Sequence, residues 1–140
     1  LNNKVDVDLM LGNEDALLGA IMNLLNNAVE VQQGSGQVKM LVTQQDQSSL
    51  TIQIQDYGSG IDETTKQRLF EPFYTTKVKG TGLGLAVVDS VIRAHSGSIH
   101  CESEIGRGTV FTLLLPCVNQ YVTSLSEQGH QPKESRYETV

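Results

Sequence analysis

Asn23, Asn27 and Glu30 recur four and three residues apart, which at about 100° per residue places them in one narrow stripe of a helix. Ala16, Gly19 and Ala20 fall on that stripe one to two turns earlier, so small side chains beside the carboxamides leave room for a group to lie across it. Asn is a poor mid-helix residue, and its neutral oxygen suits a hard cation such as Mg²⁺. A solvated polar face would give the same stripe, and these residues alone do not separate the two readings. Asp56 carries a second kind of chemistry. It continues the even-numbered phase of Leu50, Ile52 and Ile54, so it points inward if the strand persists. A buried carboxylate needs a donor, from the chain or from a ligand group such as an exocyclic amine. An ordinary Asx turn before Gly58 also accounts for it, and taken alone asks for nothing more.

Seven of the 13 glycines fall in three short clusters downstream of the Asn-rich stretch. Gly58 and Gly60 remove side chains beside Asp56. Gly80-Thr81-Gly82-Leu83-Gly84-Leu85 opens a helix, where free N–H groups and the positive dipole end bind phosphate and glycines allow close approach. It is not a Walker A loop, since no Lys-Ser/Thr follows at the required spacing, and it does not match G-x-G-x-x-G. Lys77 and Lys79 lie just upstream; Lys77 is the better placed to neutralise phosphate, and Lys79 is as well explained by solvation. Gly106-Arg107-Gly108-Thr109 reads first as a hairpin turn with a bulge. Phe70, Phe73 and Tyr74 read as core or lid packing.

These residues need a scaffold, and 140 residues make one domain able to bury a core. A hydrophobic content of 39% and a charged content of 19% are those of a globular chain. No apolar run approaches the roughly 20 residues of a membrane span, so the domain is expected to be cytoplasmic without membrane contact. A net charge of −6 argues against nucleic-acid binding. Cys101 and Cys117 are too few for a zinc site and read as buried free thiols, and His95, His100 and His130 have no metal-ligand spacing. The chain starts without Met and is expected to be a segment of a longer protein. Periodicity predicts a strand over Val5–Leu9, a helix from Glu14 to Gln32 capped by Gly34, and an antiparallel strand pair over Val38–Thr43 and Leu50–Gln55. A short helix starts at Asp62-Glu63. A longer one runs from Leu83 to His95, with Leu83, Val87, Val88, Val91 and Ile92 inward. Strands over Ser98–Ser103 and Thr109–Leu115 flank the last glycine turn. Residues 1–117 form the domain, and 118–140 a polar, solvated tail.

Together these features resemble the catalytic ATP-binding domain of two-component sensor histidine kinases, within the wider GHKL superfamily. Asn23-Leu24-Leu25-Asn26-Asn27-Ala28 matches the N box, Asp56–Gly60 the G1 box and Phe70-Glu71-Pro72-Phe73 the F box. Gly80–Leu85 matches the G2 box, and Gly106–Thr109 the third glycine turn. The short Phe-Tyr-Thr-Thr-Lys lid resembles the nitrogen-regulation and flagellar-regulation kinases. The resemblance runs from about Val5 to Leu115. It implies a two-layer α/β sandwich, the Bergerat fold, with a mixed sheet covered on one face by helices.

The resemblance further implies ATP and Mg²⁺ as cofactors, with Asn27 on the metal, and Asn23, Asn27 and Lys77 as the catalytic set. Asp56 would receive the adenine amine, and Thr109 would lie near the water network at the base. The remaining nucleotide contacts would come from Glu30, Gly58, Gly60, Ile61, Phe70 and Thr76, and from Gly80, Thr81, Gly82, Leu83, Gly84 and Leu85. Glu30 stands at a position that varies in the family. Related hydrolytic ATPases carry a Glu one helical turn before the metal-binding Asn; here that position is Asn23, which cannot take a proton from water. The implied reaction is therefore phosphoryl transfer to a histidine on the protein's own dimerisation and histidine-phosphotransfer domain, with a response regulator downstream. Alternatives are an ATPase switch and a nucleotide-binding module without transfer activity.

Overall fold

A computed structural model describes residues 11–32, 36–46, 48–77 and 80–117. In chain order these form α1 (Glu14–Glu30), β1 (Lys39–Asp46), β2 (Ser49–Asp56), α2 (Glu63–Gln67), α3 (Gly84–Ala94), β3 (Ser98–Glu104) and β4 (Gly108–Pro116). The strand expected over Val5–Leu9, the Gly34 cap, Lys79, His130 and the tail 118–140 lie outside the described residues. Among those described, no helix is long and apolar enough to cross a membrane.

The sheet runs β1-β2-β4-β3, and all three pairings are antiparallel. A mixed sheet was expected. Among the described strands every pairing is antiparallel: β1–β2 and β3–β4 are hairpins, and the crossover from β2 through α2 and α3 sets β3 beside β4 rather than beside β2, while the strand expected over Val5–Leu9 lies outside the described residues. Directly opposed residues share a face, so the register sorts the inward side chains into rows. Ile99, Leu113 and Ile52 form one row across β3, β4 and β2; Cys101, Phe111 and Ile54 form the next. The row after that is polar: Ser103, Thr109 and Asp56. The opposite face is not uniformly wet, for Thr51 is buried there.

α1 and α3 cover the inward face and pack against each other. Asn13 caps α1, its side chain accepting the Ala16 N–H at 2.9 Å, and Glu14 and Asp15 suit the positive end of the dipole. The helix ends at Glu30, two residues before the sequence pattern suggested. Its buried stripe is Leu17, Ala20, Leu24 and Ala28. Ala20 therefore belongs to the core rather than to the open polar stripe. At 100° per residue it lies on the boundary between the two faces, which is the side α3 packs against. In α3 the buried pair is Val88 and Ile92, with Leu85 and Val91 packed beside them. Leu83 and Val87, expected inward, are exposed, because the helix begins at Gly84 and its four-residue ridge through Val88 and Ile92 meets α1.

His95 ties the two helices end to end. Its Nδ1 donates to the Val91 carbonyl at 2.7 Å and its Nε2 accepts the Asn13 N–H at 2.9 Å, so both contacts require the same neutral tautomer. Leu24 is fully buried at the centre of the core. Leu24→Ala should cost about 3 kcal/mol in chemical denaturation, with the denaturant slope unchanged.

Candidate functional site

The polar row is the floor of the site. Asp56 is 5% exposed, and its Oδ1 accepts the Gly58 N–H at 2.9 Å. The Asx turn and the inward carboxylate are thus both present. Beside it, Thr109 is 4% exposed. Ser103 joins the two glycine turns to this floor. Its Oγ accepts the Ile61 N–H at 2.8 Å, donates to the Gly108 carbonyl at 2.9 Å and lies 2.9 Å from Thr109 Oγ1. The Gly106 N–H donates to the Ser59 carbonyl at 2.7 Å, closing the loop after Asp56 onto the β3–β4 turn. Gly60 sits at that junction with φ +73°, and a Cβ there would run into the Glu104 carbonyl, so only glycine fits. A Cβ on Gly58 would lie 2.7 Å from Val31 Cγ2, which brings the same loop against the end of α1.

One wall is the polar stripe of α1, facing the start of α3. The Cβ position of Gly84 is 3.9 Å from Asn23 Oδ1, so the Asn-rich helix and the second glycine cluster meet in space. Leu83, the N-cap of α3, makes no side-chain capping bond, which leaves the first-turn N–H groups without that partner. Lys77 Nζ bonds Asn27 Oδ1 at 3.0 Å and forms an ion pair with Glu30 Oε2. One cation is therefore already held between a carboxamide and a carboxylate oxygen. That donor set fits Mg²⁺, provided water and phosphate oxygens complete the shell. No group of three or more His, Cys, Asp or Glu residues placed for a metal occurs among the described residues. The Lys77 and Glu30 side chains are 43% and 60% exposed, so their pairing contributes at most about 1 kcal/mol and is readily exchanged.

The described residues between α2 and α3 reach this wall through Lys77. Phe73 and Gly82 both adopt left-handed backbone, at φ 65° and 68°, and the Phe73 N–H donates to the Gly82 carbonyl at 2.9 Å. Strain at a non-glycine residue is kept where the surroundings require it. Here the bonded pair brings Phe73 and Gly82 together. A Cβ on Gly82 would lie 2.8 Å from Phe73 Cα, which excludes other residues. Between them the Gly80 N–H donates to the Lys77 carbonyl at 3.1 Å, and the Lys77 N–H to Thr75 Oγ1 at 3.0 Å. Thr81 Oγ1 accepts the Leu83 N–H at 3.4 Å. Phe70 and Leu85 pack on the core and shape the site from behind; Phe73 is 76% exposed, unlike the packing role expected of it. Thr76 is exposed. Tyr74 turns away to bond Thr65 Oγ1 at 3.3 Å beneath the Arg68 guanidinium.

Sequence reasoning missed Ser103. The signal was available: Ile99 and Cys101 are inward, so the next residue in phase is a half-buried hydroxyl near the end of β3.

Against this geometry, residues 12–119 match the model of the histidine kinase-, DNA gyrase B-, and HSP90-like ATPases. The chain belongs to that family. Its sheet with helices on one face is the family's Bergerat sandwich, and similar proteins are sensor histidine kinases. Sporulation kinase E of Bacillus subtilis is 46% identical over 95 residues, 68% of this chain and 13% of the relative. The signal transduction histidine-protein kinase AtoS of Escherichia coli is 40% identical over 117 residues, 84% of this chain and 18% of the relative. The chain thus spans less than a fifth of either relative's length. Among solved structures, the mycobacterial sensor histidine kinase MprB aligns with a TM-score of 0.72 at 29% identity, over 79% of this chain and 76% of that one. Full-length ShkA in complex with AMPPNP aligns at 0.69 and 28% identity, over 79% and 23%.

Cys101 lies in the row next to this kinase-family floor, and burial pushes its thiol up to about 11, against a smaller opposing pull from Lys66. Only the thiolate is alkylated readily. At pH 8, in a Cys117→Ser background, Cys101 should react about 100-fold more slowly than in the denatured chain, and mass spectrometry of iodoacetamide time courses will read this.

Proposed function

We propose that this domain binds Mg²⁺-ATP and donates the γ-phosphoryl group to a histidine on a separate dimerisation domain, in two-component signalling. The observation that carries the reading is spatial: a buried carboxylate at one end of the floor and a cation-holding pair, Asn27 and Glu30, on the wall, with the open start of α3 facing that wall. A nucleotide has the same polarity, an amine-bearing base at one end and clustered charge at the other.

In this reading Asp56 accepts the adenine amine, held by the Gly58 N–H so that its free oxygen faces the base. Phosphate oxygens approach the first-turn N–H groups of α3, where the dipole favours negative charge. Lys77 exchanges Glu30 for the phosphates. Asn27 and Glu30 would hold Mg²⁺, which when bound neutralises phosphate charge. Asn23 beside Gly84 stands where a general base would be required to activate water. Its carboxamide accepts no proton at neutral pH, so the site positions ATP without promoting hydrolysis. Transfer then rests on alignment and electrostatic stabilisation of the moving phosphoryl group.

The acceptor lies outside the described residues. His95 is engaged at both ring nitrogens in joining α1 to α3, and His100 is on an exposed position of β3. The Phe73–Lys77 lid sequence supports kinship with the nitrogen- and flagellar-regulation kinases, and the kinase relatives support a dimerisation domain and a response regulator as partners.

Mixing the domain with a matched dimerisation-domain dimer and labelled ATP should place acid-labile phosphate on the dimer's histidine and none on the domain alone. Binding of ATP without any transfer would leave a nucleotide-binding module, and rapid phosphate release by the domain alone would make it an ATPase. Asp56→Asn keeps the acceptor for the Gly58 N–H but loses the charge, and should weaken ATP binding about 10- to 100-fold in calorimetry with little change in melting temperature.

A further inference from the structure

We infer that Lys77 is a regulatory cation built into the site: its ammonium competes with divalent metal for the oxygens of Asn27 and Glu30, and nucleotide phosphate decides between the two by drawing the lysine away. This rests on, and deepens, the proposed reading of the α1 wall as the metal and phosphate end of the site.

The position of one charge carries most of the weight. Lys77 Nζ donates to Asn27 Oδ1 at 3.0 Å and pairs with Glu30 Oε2. Asn27 and Glu30 are three residues apart on α1 and so lie side by side on its surface. Lys77 reaches them from 47 residues beyond Glu30. The backbone beneath the ammonium is itself held, its N–H by Thr75 Oγ1 and its carbonyl by the Gly80 N–H.

A carboxamide and a carboxylate oxygen are hard donors, of the kind that take Mg²⁺ or Mn²⁺. A divalent ion bound to both would stand in contact with the ammonium, where like charges repel strongly. The two cations therefore exclude each other at these oxygens. The lysine's hold is weak enough to be contested, since it and Glu30 are both partly in water.

A place for the displaced ammonium lies on the same helix. Asn23 is four residues, about 6 Å, before Asn27 along α1, and it faces Gly84 at the start of α3. An anion at the first-turn N–H groups of α3 is thus within the swing of a flexible four-carbon stem. With Lys77 on phosphate, Asn27 and Glu30 are open to metal; with Lys77 on Glu30, they are closed. Lys77 therefore acts for the nucleotide and against the metal. A side chain that merely steadied the wall would weaken both ligands when removed.

The test uses the 140-residue chain and two probes: Mn²⁺ alone, followed by the electron spin resonance of the free ion, and ATP in EDTA, followed by calorimetry. Lys77→Met should tighten Mn²⁺ binding about fivefold and weaken metal-free ATP by a similar factor. In a Glu30→Gln background the same substitution should move Mn²⁺ affinity by less than about twofold, because the contested carboxylate is gone. Unchanged or weaker Mn²⁺ binding in Lys77→Met, or the full gain persisting beside Glu30→Gln, overturns the competition. Either result leaves the nucleotide reading standing if the parent chain binds Mg²⁺-ATP. Failure of the parent chain to bind Mg²⁺-ATP removes that reading, and the role of Lys77 with it.

Discussion

The whole site depends on a row of polar groups buried at the end of an apolar sheet face. Burying such groups is costly unless each finds a partner, because an unpaired carboxylate or hydroxyl out of water costs more than a good hydrogen bond returns. Ser103 meets that requirement with three contacts, Asp56 with the Gly58 N–H, and Thr109 through Ser103. The consequence reaches outward. The loop after β2 and the turn between β3 and β4 must both come down onto Ser103, so the two outer glycine clusters close into one structure. Asp56 retains acceptor capacity beyond its turn contact, and that is what makes the floor a candidate reader of a base rather than simply a sheet end.

The other end of the site is built on the opposite principle. Lys77, Asn27 and Glu30 meet at the surface, where screening makes an ion pair weak and exchangeable. Phe73 and Gly82 are hydrogen-bonded to each other on either side of Lys77, and none of the described residues between them belongs to the buried core cluster. A rigid floor beside an exchangeable wall suits a ligand whose base must be recognised and whose terminal phosphate must later leave.

Particular elements show how much was legible beforehand. The α1 and β2 patterns translate directly, since a helical stripe of Leu17 and Leu24 and the alternation of Ile52 and Ile54 each state which face is buried. The inward phase of Asp56 follows from the same alternation. Ala20, Leu83 and Val87 were misplaced because Ala20 and Val87 stand at the edge of a helix face and Leu83 at the N-cap of α3, where a residue's burial is set by how the neighbouring helix packs and not by its own period. Ser103 was overlooked although its phase was readable; its importance comes from partners at positions 61, 108 and 109, brought in by strand pairing.

The sequence by itself determined the elements, the inward direction of Asp56 and the family, because periodicity and ordered motifs are properties of the chain read in one dimension. Only the tertiary structure decided that Asn23 faces Gly84, that Lys77 rests on Asn27 and Glu30, and that Ser103 meets Ile61, Gly108 and Thr109 at one point. Each of these is a contact between segments distant in the chain, and direction and distance across such contacts are fixed by sheet register and helix packing, which no local pattern encodes.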